Sequence, residues 1–134
     1  MGYAVLAGDL ARVRLLLSLG ADPDEAWGTG TPLLQVVDEP LDFFEQQEMR
    51  IAEALLDAGA AVDARNPEGQ TPLHLVVERE NVAGVELLLA RGADRTLLDN
   101  NGESAFDVAS RLADAMETTS DELTAIIQLL RPPA

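Results

Sequence analysis

The stretch Thr71-Pro72-Leu73-His74, followed by Leu87-Leu88-Leu89 and then Gly92-Ala93-Asp94, carries the signals of one complete structural unit. Thr71 is a good helix N-cap, and Pro72 suits the first helical position, where its missing N–H costs nothing. Leu73, Val76 and Val77 then fall on one face of a short helix. A second helix carries Val82, Val85 and the Leu triplet. Gly92 stops it by taking the left-handed conformation that a side chain resists. From Asp94 to Glu103, with Asn100-Asn101-Gly102 inside it, the residues are those of a turn that reverses the chain before the next N-cap.

The same signals recur on either side. Gly20-Ala21-Asp22 and Gly59-Ala60-Ala61 match Gly92-Ala93-Asp94, and each follows a Leu run, Leu15-Leu16-Leu17 or Leu55-Leu56. Thr31-Pro32-Leu33 matches Thr71-Pro72-Leu73, and Ser104-Ala105-Phe106 is a weaker third copy. Gly59 to Gly92 is 33 residues, and Thr71 to Ser104 is again 33. Neither helix of such a unit buries its apolar face alone, so neighbouring units must stack.

On these residues the chain resembles the ankyrin repeat family, as a small array of about four units of bacterial type. The resemblance implies an all-α solenoid of stacked helix-turn-helix units with projecting β-turn or hairpin fingers. As one domain over 1–134, the units are expected at about 1–30 (an N-terminal cap bearing Arg12 and Arg14), 31–70, 71–103 and 104–134 (a C-terminal cap). The first lacks a Thr-Pro-Leu start, so its first helix should be short, with Gly8-Asp9 at the turn between helices. The family's His at the position of His74 implies a structural role, a hydrogen bond to the Thr71 hydroxyl and to nearby backbone that pins the loop. Thr71, Pro72, Leu73, His74 and Gly92 are thus the structural motif.

Two units depart from the period. Thr31 to Thr71 is 40 residues, seven more than 33, and the excess falls near residues 40–46, between the unit's helices. Phe43 and Phe44 lie there; they either fold back as a satellite core or anchor a partner. In the last unit, residues 112–117 lengthen the first helix, Thr118-Thr119-Ser120 breaks it, and Ser120 or Asp121 caps the final helix, whose stripe is Leu123, Ile126, Ile127 and Leu130. Trp27 stands in a Gly-rich turn and either covers the adjacent finger or serves as a binding anchor.

Composition narrows the functions. With 24 Asp+Glu against 9 Lys+Arg the formal charge is −15, and all the cations are arginine. Without cysteine there are no disulfides, thiol nucleophiles or Cys-containing zinc sites. A single histidine, no lysine for a phosphate loop and no EF-hand spacing leave neither a catalytic residue nor a metal or other cofactor to expect. The charge repels phosphate, so neither nucleic acid nor an anionic membrane is an expected partner. No signal peptide and no apolar span are visible, which gives a cytoplasmic expectation.

What remains is non-enzymatic protein binding. Family arrays bind through finger tips and the exposed side of the first helices, which form a concave face. Carried over, this implies Glu25, Ala26 and Trp27 from the first finger, and Asp38 and Glu39 from the second unit, with Phe43 and Phe44 added from its long loop. The third unit gives Arg65, Glu68, Gln70, Glu78 and Arg79; the fourth gives Leu98, Asn100, Asn101, Glu103 and Arg111. Between Asp38 and Asp57 seven carboxylates face Arg50 alone. A negative surface of this kind steers a basic protein into contact. The expectation is a monomer when unbound that holds a basic partner, as a stoichiometric inhibitor or an immunity or antitoxin protein. The rival reading is a general scaffold, or a fragment of a larger array.

Overall fold

A computed structural model describes residues 2–26, 28, 30–38 and 45–131. Eight helices lie among them, and no strand. They alternate as first and second helices of successive pairs: α1 (Gly2–Leu6) with α2 (Leu10–Ser18), α3 (Pro32–Asp38) with α4 (Glu45–Asp57), α5 (Pro72–Glu78) with α6 (Val82–Ala90), and α7 (Ala105–Ala115) with α8 (Asp121–Leu130). The first helices pack side by side in the order α1, α3, α5, α7, and the second helices in the order α2, α4, α6, α8. This is the ankyrin solenoid.

The helix ends repeat as the sequence does. After α2, α4 and α6 the chain turns at Gly20, Gly59 and Gly92, whose φ angles are 91°, 95° and 86°. Each of these glycines donates its N–H to the carbonyl three residues back. The following alanine reaches the carbonyl five residues back, as in Ala93 N–H to Leu88 O at 2.9 Å. This double bond pattern satisfies carbonyls that a helix end otherwise leaves open. Asp9, Asn81 and Ser120 cap α2, α6 and α8, accepting from the amides of Arg12, Gly84 and Leu123. α1 is only five residues long, and α7 runs eleven where α5 has seven, both as the sequence suggests.

The core is aliphatic, as a chain with 4% aromatic residues requires. Leu33, Ile51, Leu55, Leu73, Val76, Val85, Leu88, Val108, Leu123 and Ile126 are at most 1% exposed and form one continuous cluster across the pairs. Burial of such side chains contributes about 1.5–3 kcal/mol each. Ile127, of the expected α8 stripe, is half-buried. No described helix is long and apolar enough to cross a membrane.

Candidate protein-binding surface

The fingers are built by side chains that imitate backbone. In the turn at residues 66–70, the Asn66 carboxamide oxygen accepts from the Glu68 and Gln70 amides, and Asn66 N–H donates to Gln70 O. At residues 99–103, the Asp99 carboxylate accepts from the Asn101 and Glu103 amides, and Asp99 N–H donates to Glu103 O. Short polar side chains that bond two residues on are what make such turns.

Adjacent fingers are then fastened to each other. Asn100 donates its N–H to Glu68 O at 3.0 Å and its Nδ2 to Pro67 O at 2.9 Å. Arg65 Nη1 reaches Leu98 O at 2.8 Å. At the finger bases, Asp24 Oδ1 accepts from Ala61 N–H and Asp63 Oδ1 from Asp94 N–H, the same link one unit apart.

His74 is 1% exposed and sits where three elements meet. Its Nδ1 lies 3.1 Å from Thr71 N and 2.9 Å from Thr71 Oγ1, and its Nε2 lies 2.9 Å from Glu103 O. A carbonyl only accepts, so Nε2 carries the proton and Nδ1 accepts from Thr71 N–H. The neutral Nε2–H tautomer satisfies every contact. These contacts include the Thr71 hydroxyl bond that the resemblance implies, and the Nε2 bond to Glu103 O also ties α5 to the following finger.

Six of the residues expected to bind a partner pair with one another. On the row of first helices, Arg79 Nη2 meets Asp38 Oδ1 at 3.2 Å, joining α5 to α3. Gln70 Nε2 donates to Glu78 Oε1 at 2.9 Å, and one unit later Arg111 Nε donates to Glu103 Oε2, also at 2.9 Å. The hydrogen bond to Glu103 and its charge hold the Arg111 guanidinium protonated, raising it above its ordinary value. Asp38, Glu78, Arg79 and Arg111 are exposed, as are Glu25, Arg65, Glu68, Leu98, Asn100 and Asn101, whereas Gln70 is half-buried. Trp27, Glu39, Phe43 and Phe44 lie outside the described residues.

An opening lined by Gly30, Leu34, Gln35, Asp38, Asn66 and Leu75 has a volume of about 50 Å³, against roughly 300 Å³ or more for a small-molecule site. Among the described residues no three His, Asp or Glu side chains are grouped to hold a metal ion.

One feature escapes a reading by motif. Tyr3, Leu6, Leu15 and Leu19 of the first pair are exposed beside Arg12 and Arg14. Its one trace in the sequence is Leu19, where Arg91 holds the same place before Gly92; Leu15 and Leu87 do not differ in type.

Residues 55–109 match the family model described as ankyrin repeats in many copies. The chain belongs to the ankyrin repeat family, a generally non-enzymatic fold that serves as a protein-protein interaction module. It is 32% identical over 123 residues to the E3 ubiquitin-protein ligase KEG of Arabidopsis thaliana, covering 90% of this chain and 7% of that protein. It is 35% identical over 97 residues to an ankyrin repeat and KH domain-containing protein of Caenorhabditis briggsae, covering 72% of this chain and 4% of the other. The 2-5A-dependent ribonuclease of Homo sapiens is 37% identical over 67 residues, covering 49% of this chain and 9% of the enzyme. The chain thus spans less than a tenth of each of these relatives.

Proposed function

We propose that this module binds a basic protein through its finger tips and the exposed row of α3, α5 and α7, without chemistry of its own. The observation that carries the reading is the unequal use of charge. Arg12, Arg79, Arg91 and Arg111 are paired with Asp9, Asp38, Asp57 and Glu103 of the same chain. Arg65 and Arg95 donate to the carbonyls of Leu98 and Leu129. Six of the nine arginines are thus engaged by groups of the same chain, against a formal charge of −15. Such a field accelerates encounter with a basic partner and repels phosphate-rich surfaces. Exposed Glu25 and Glu68 on the fingers, and Asp38 at the end of α3 beside its partner Arg79, supply acid to the proposed surface, and Glu39 is a further proposed contact. Trp27, Phe43 and Phe44 are its proposed apolar anchors.

In this reading the protein is cytoplasmic and acts by occupancy, as a stoichiometric inhibitor or immunity or antitoxin protein. A scaffold, or one stretch of a larger array, is the second reading, favoured by the small share of each relative that the chain spans. Capture of partners from the native cell, followed by association kinetics across a salt series, tests the proposal. The expected result is a basic protein whose association slows as salt rises. A partner bound equally fast at low and high salt would refute the electrostatic reading. Co-expression separates the alternatives, since an inhibitor silences a toxic partner at equimolar ratio and a scaffold does not.

A further inference from the structure

The row of first helices repeats one side-chain pair that the second unit is unable to make. In the third and fourth units, the residue just before the helix cap meets the residue eight positions on. Gln70 Nε2 donates to Glu78 Oε1 at 2.9 Å, and Glu103 Oε2 accepts from Arg111 Nε at the same distance. Aligning Thr31 with Thr71 puts Gly30 at the place of Gln70 and Asp38 at that of Glu78. Asp38 keeps the acid, but Gly30 has no side chain to bring it a donor.

The missing side chain coincides with a space. The opening of about 50 Å³ lies here, between Gly30, Leu34, Gln35 and Asp38 of the second unit and Asn66 and Leu75 of the third. A Cβ built on Gly30 would lie 3.0 Å from Leu34 Cδ1, so a side chain there would enter against the wall of that opening. Leu34 and Leu75, each 3% exposed, make the wall apolar, and Asp38 is the charged group on the lining. Leu34 and Asp38 are one helical turn apart on α3, so a single face presents both. The Asn66 carboxamide is committed to its own turn. Arg79 meets Asp38 at Oδ1, and a carboxylate has room for further donors.

Space on this scale holds a few waters or the end of one side chain, since a single water needs about 10–15 Å³. An occupant that suits both walls has an apolar stem for Leu34 and Leu75 and a cationic tip for Asp38. Lysine has that form, a methylene stem ending in a compact ammonium that is smaller than the planar fork of arginine. We propose that this opening is a subsite for one lysine side chain of the partner, seated where the third unit holds its own Gln70. The assignment rests on the basic-partner reading and names the residue type by which that partner is gripped at the junction of α3 and α5.

Titration of the full chain with N-acetyl-lysine N-methylamide, followed by amide NMR, tests this without any partner. Sodium chloride is exchanged mole for mole, so that ionic strength stays fixed. The expected result is saturable shifts at Gly30, Leu34, Asn66 and Leu75. The norleucine derivative, which keeps the stem and lacks the charge, and the glutamine derivative, a neutral donor, should each bind roughly fivefold more weakly. Asp38→Asn should weaken the lysine derivative by a similar factor, whereas Glu86→Gln, the same loss of charge on exposed α6, leaves it unchanged. Gly30→Gln should abolish binding by filling the seat from within. Asp38 is exposed, so Asp38→Asn decides the matter even where Gly30→Gln disturbs the packing. Equal binding of the glutamine derivative, shifts spread evenly over the acidic surface, or binding indifferent to Asp38→Asn overturns the proposal. A natural partner indifferent to salt refutes the basic-partner reading instead, so the two fail separately.

Discussion

The turns at residues 66–70 and 99–103 share one local design, yet one is covered and the other is not. Both place an Asx side chain over the next two to four amides, and both end on a left-handed glycine, Gly69 at φ 76° and Gly102 at 75°. The difference lies in what stacks on them. A Cβ added to Gly69 would lie 2.9 Å from the backbone N of Asn100, whereas one added to Gly102 meets nothing within 4 Å. The same turn is therefore a buried joint in the inner finger and an open tip in the outer one. Local chemistry shapes a finger; the neighbouring unit decides what each of its atoms is worth.

The sharpest way to break that contrast is to place alanine at both glycines. Gly102→Ala bears only the cost of a left-handed side chain, about 1–2 kcal/mol. Gly69→Ala bears the same cost and also displaces Asn100, adding about 1–3 kcal/mol of overpacking. Denaturant unfolding of the two variants gives the comparison directly. Equal losses would mean that the finger contact is not tight in solution.

His74→Leu should cost about 2–3 kcal/mol, since the Thr71 N–H and hydroxyl lose their buried partner and Glu103 O loses one of two donors. Leucine fits the comparison because Leu34 occupies the matching position after Thr31, where Thr31 Oγ1 accepts from the Leu34 amide at 3.4 Å. Leu34 cannot make the tie that His74 makes from α5 to the finger after it. Nitrogen NMR should show the Nε2–H tautomer in the native protein. A loss below about 0.5 kcal/mol, the range of an ordinary surface change, would show that the tie contributes little.

These two sites mark how far sequence carries. The 33-residue spacing, the caps at Thr71 and Ser120 and the glycine stops are legible, because each depends on a few adjacent residues, and the bond of His74 to Thr71 is what the family resemblance implies. Glu80 is not legible, since nothing in its type announces a φ of 53° at the place where the first unit has Gly8. The links from Asp24 to Ala61 and from Asp63 to Asp94 are also hidden, because they exist only once the register between units is known. Position along the repeat points to the expected binding residues, but the pairing of Arg79 with Asp38 and of Arg111 with Glu103 depends on three-dimensional neighbours. The exposure of Leu15 is hidden for the same reason, since it reads as core in any Leu run.

A smaller test concerns the outer finger's fastening from its own side. Asn100→Ala removes the Nδ2 bond to Pro67 O but keeps the backbone bond to Glu68 O. The expected loss is about 1 kcal/mol, with faster amide exchange from Asp99 to Gly102 and unchanged exchange in α6. If exchange accelerates in α6 as well, the finger and the helices open together.

The smallest effect lies at the foot of that finger and concerns protons. Asp94 and Asp22 follow corresponding glycines, and each accepts from the amide two residues on, Thr96 N–H and Asp24 N–H respectively. Only Asp94 also accepts from a hydroxyl, Thr96 Oγ1 at 2.6 Å. That hydroxyl first, and the Thr96 amide second, hold the Asp94 carboxyl below its ordinary value of 3.8. A carboxyl lowered in the fold contributes stability above its unfolded value, and the contribution is lost as pH falls through the folded value. The acid limb of the stability curve below about pH 4 should therefore soften in Thr96→Val, with the neutral-pH end carrying the loss. An NMR titration checks it at the residue: Asp94 should titrate below 3.8 in the native protein and move upward in Thr96→Val. An Asp94 that titrates at the same pH in both proteins would show that the hydroxyl contact does not persist in water. The two feet would then be equivalent, and the fingers would differ only in what stacks upon them.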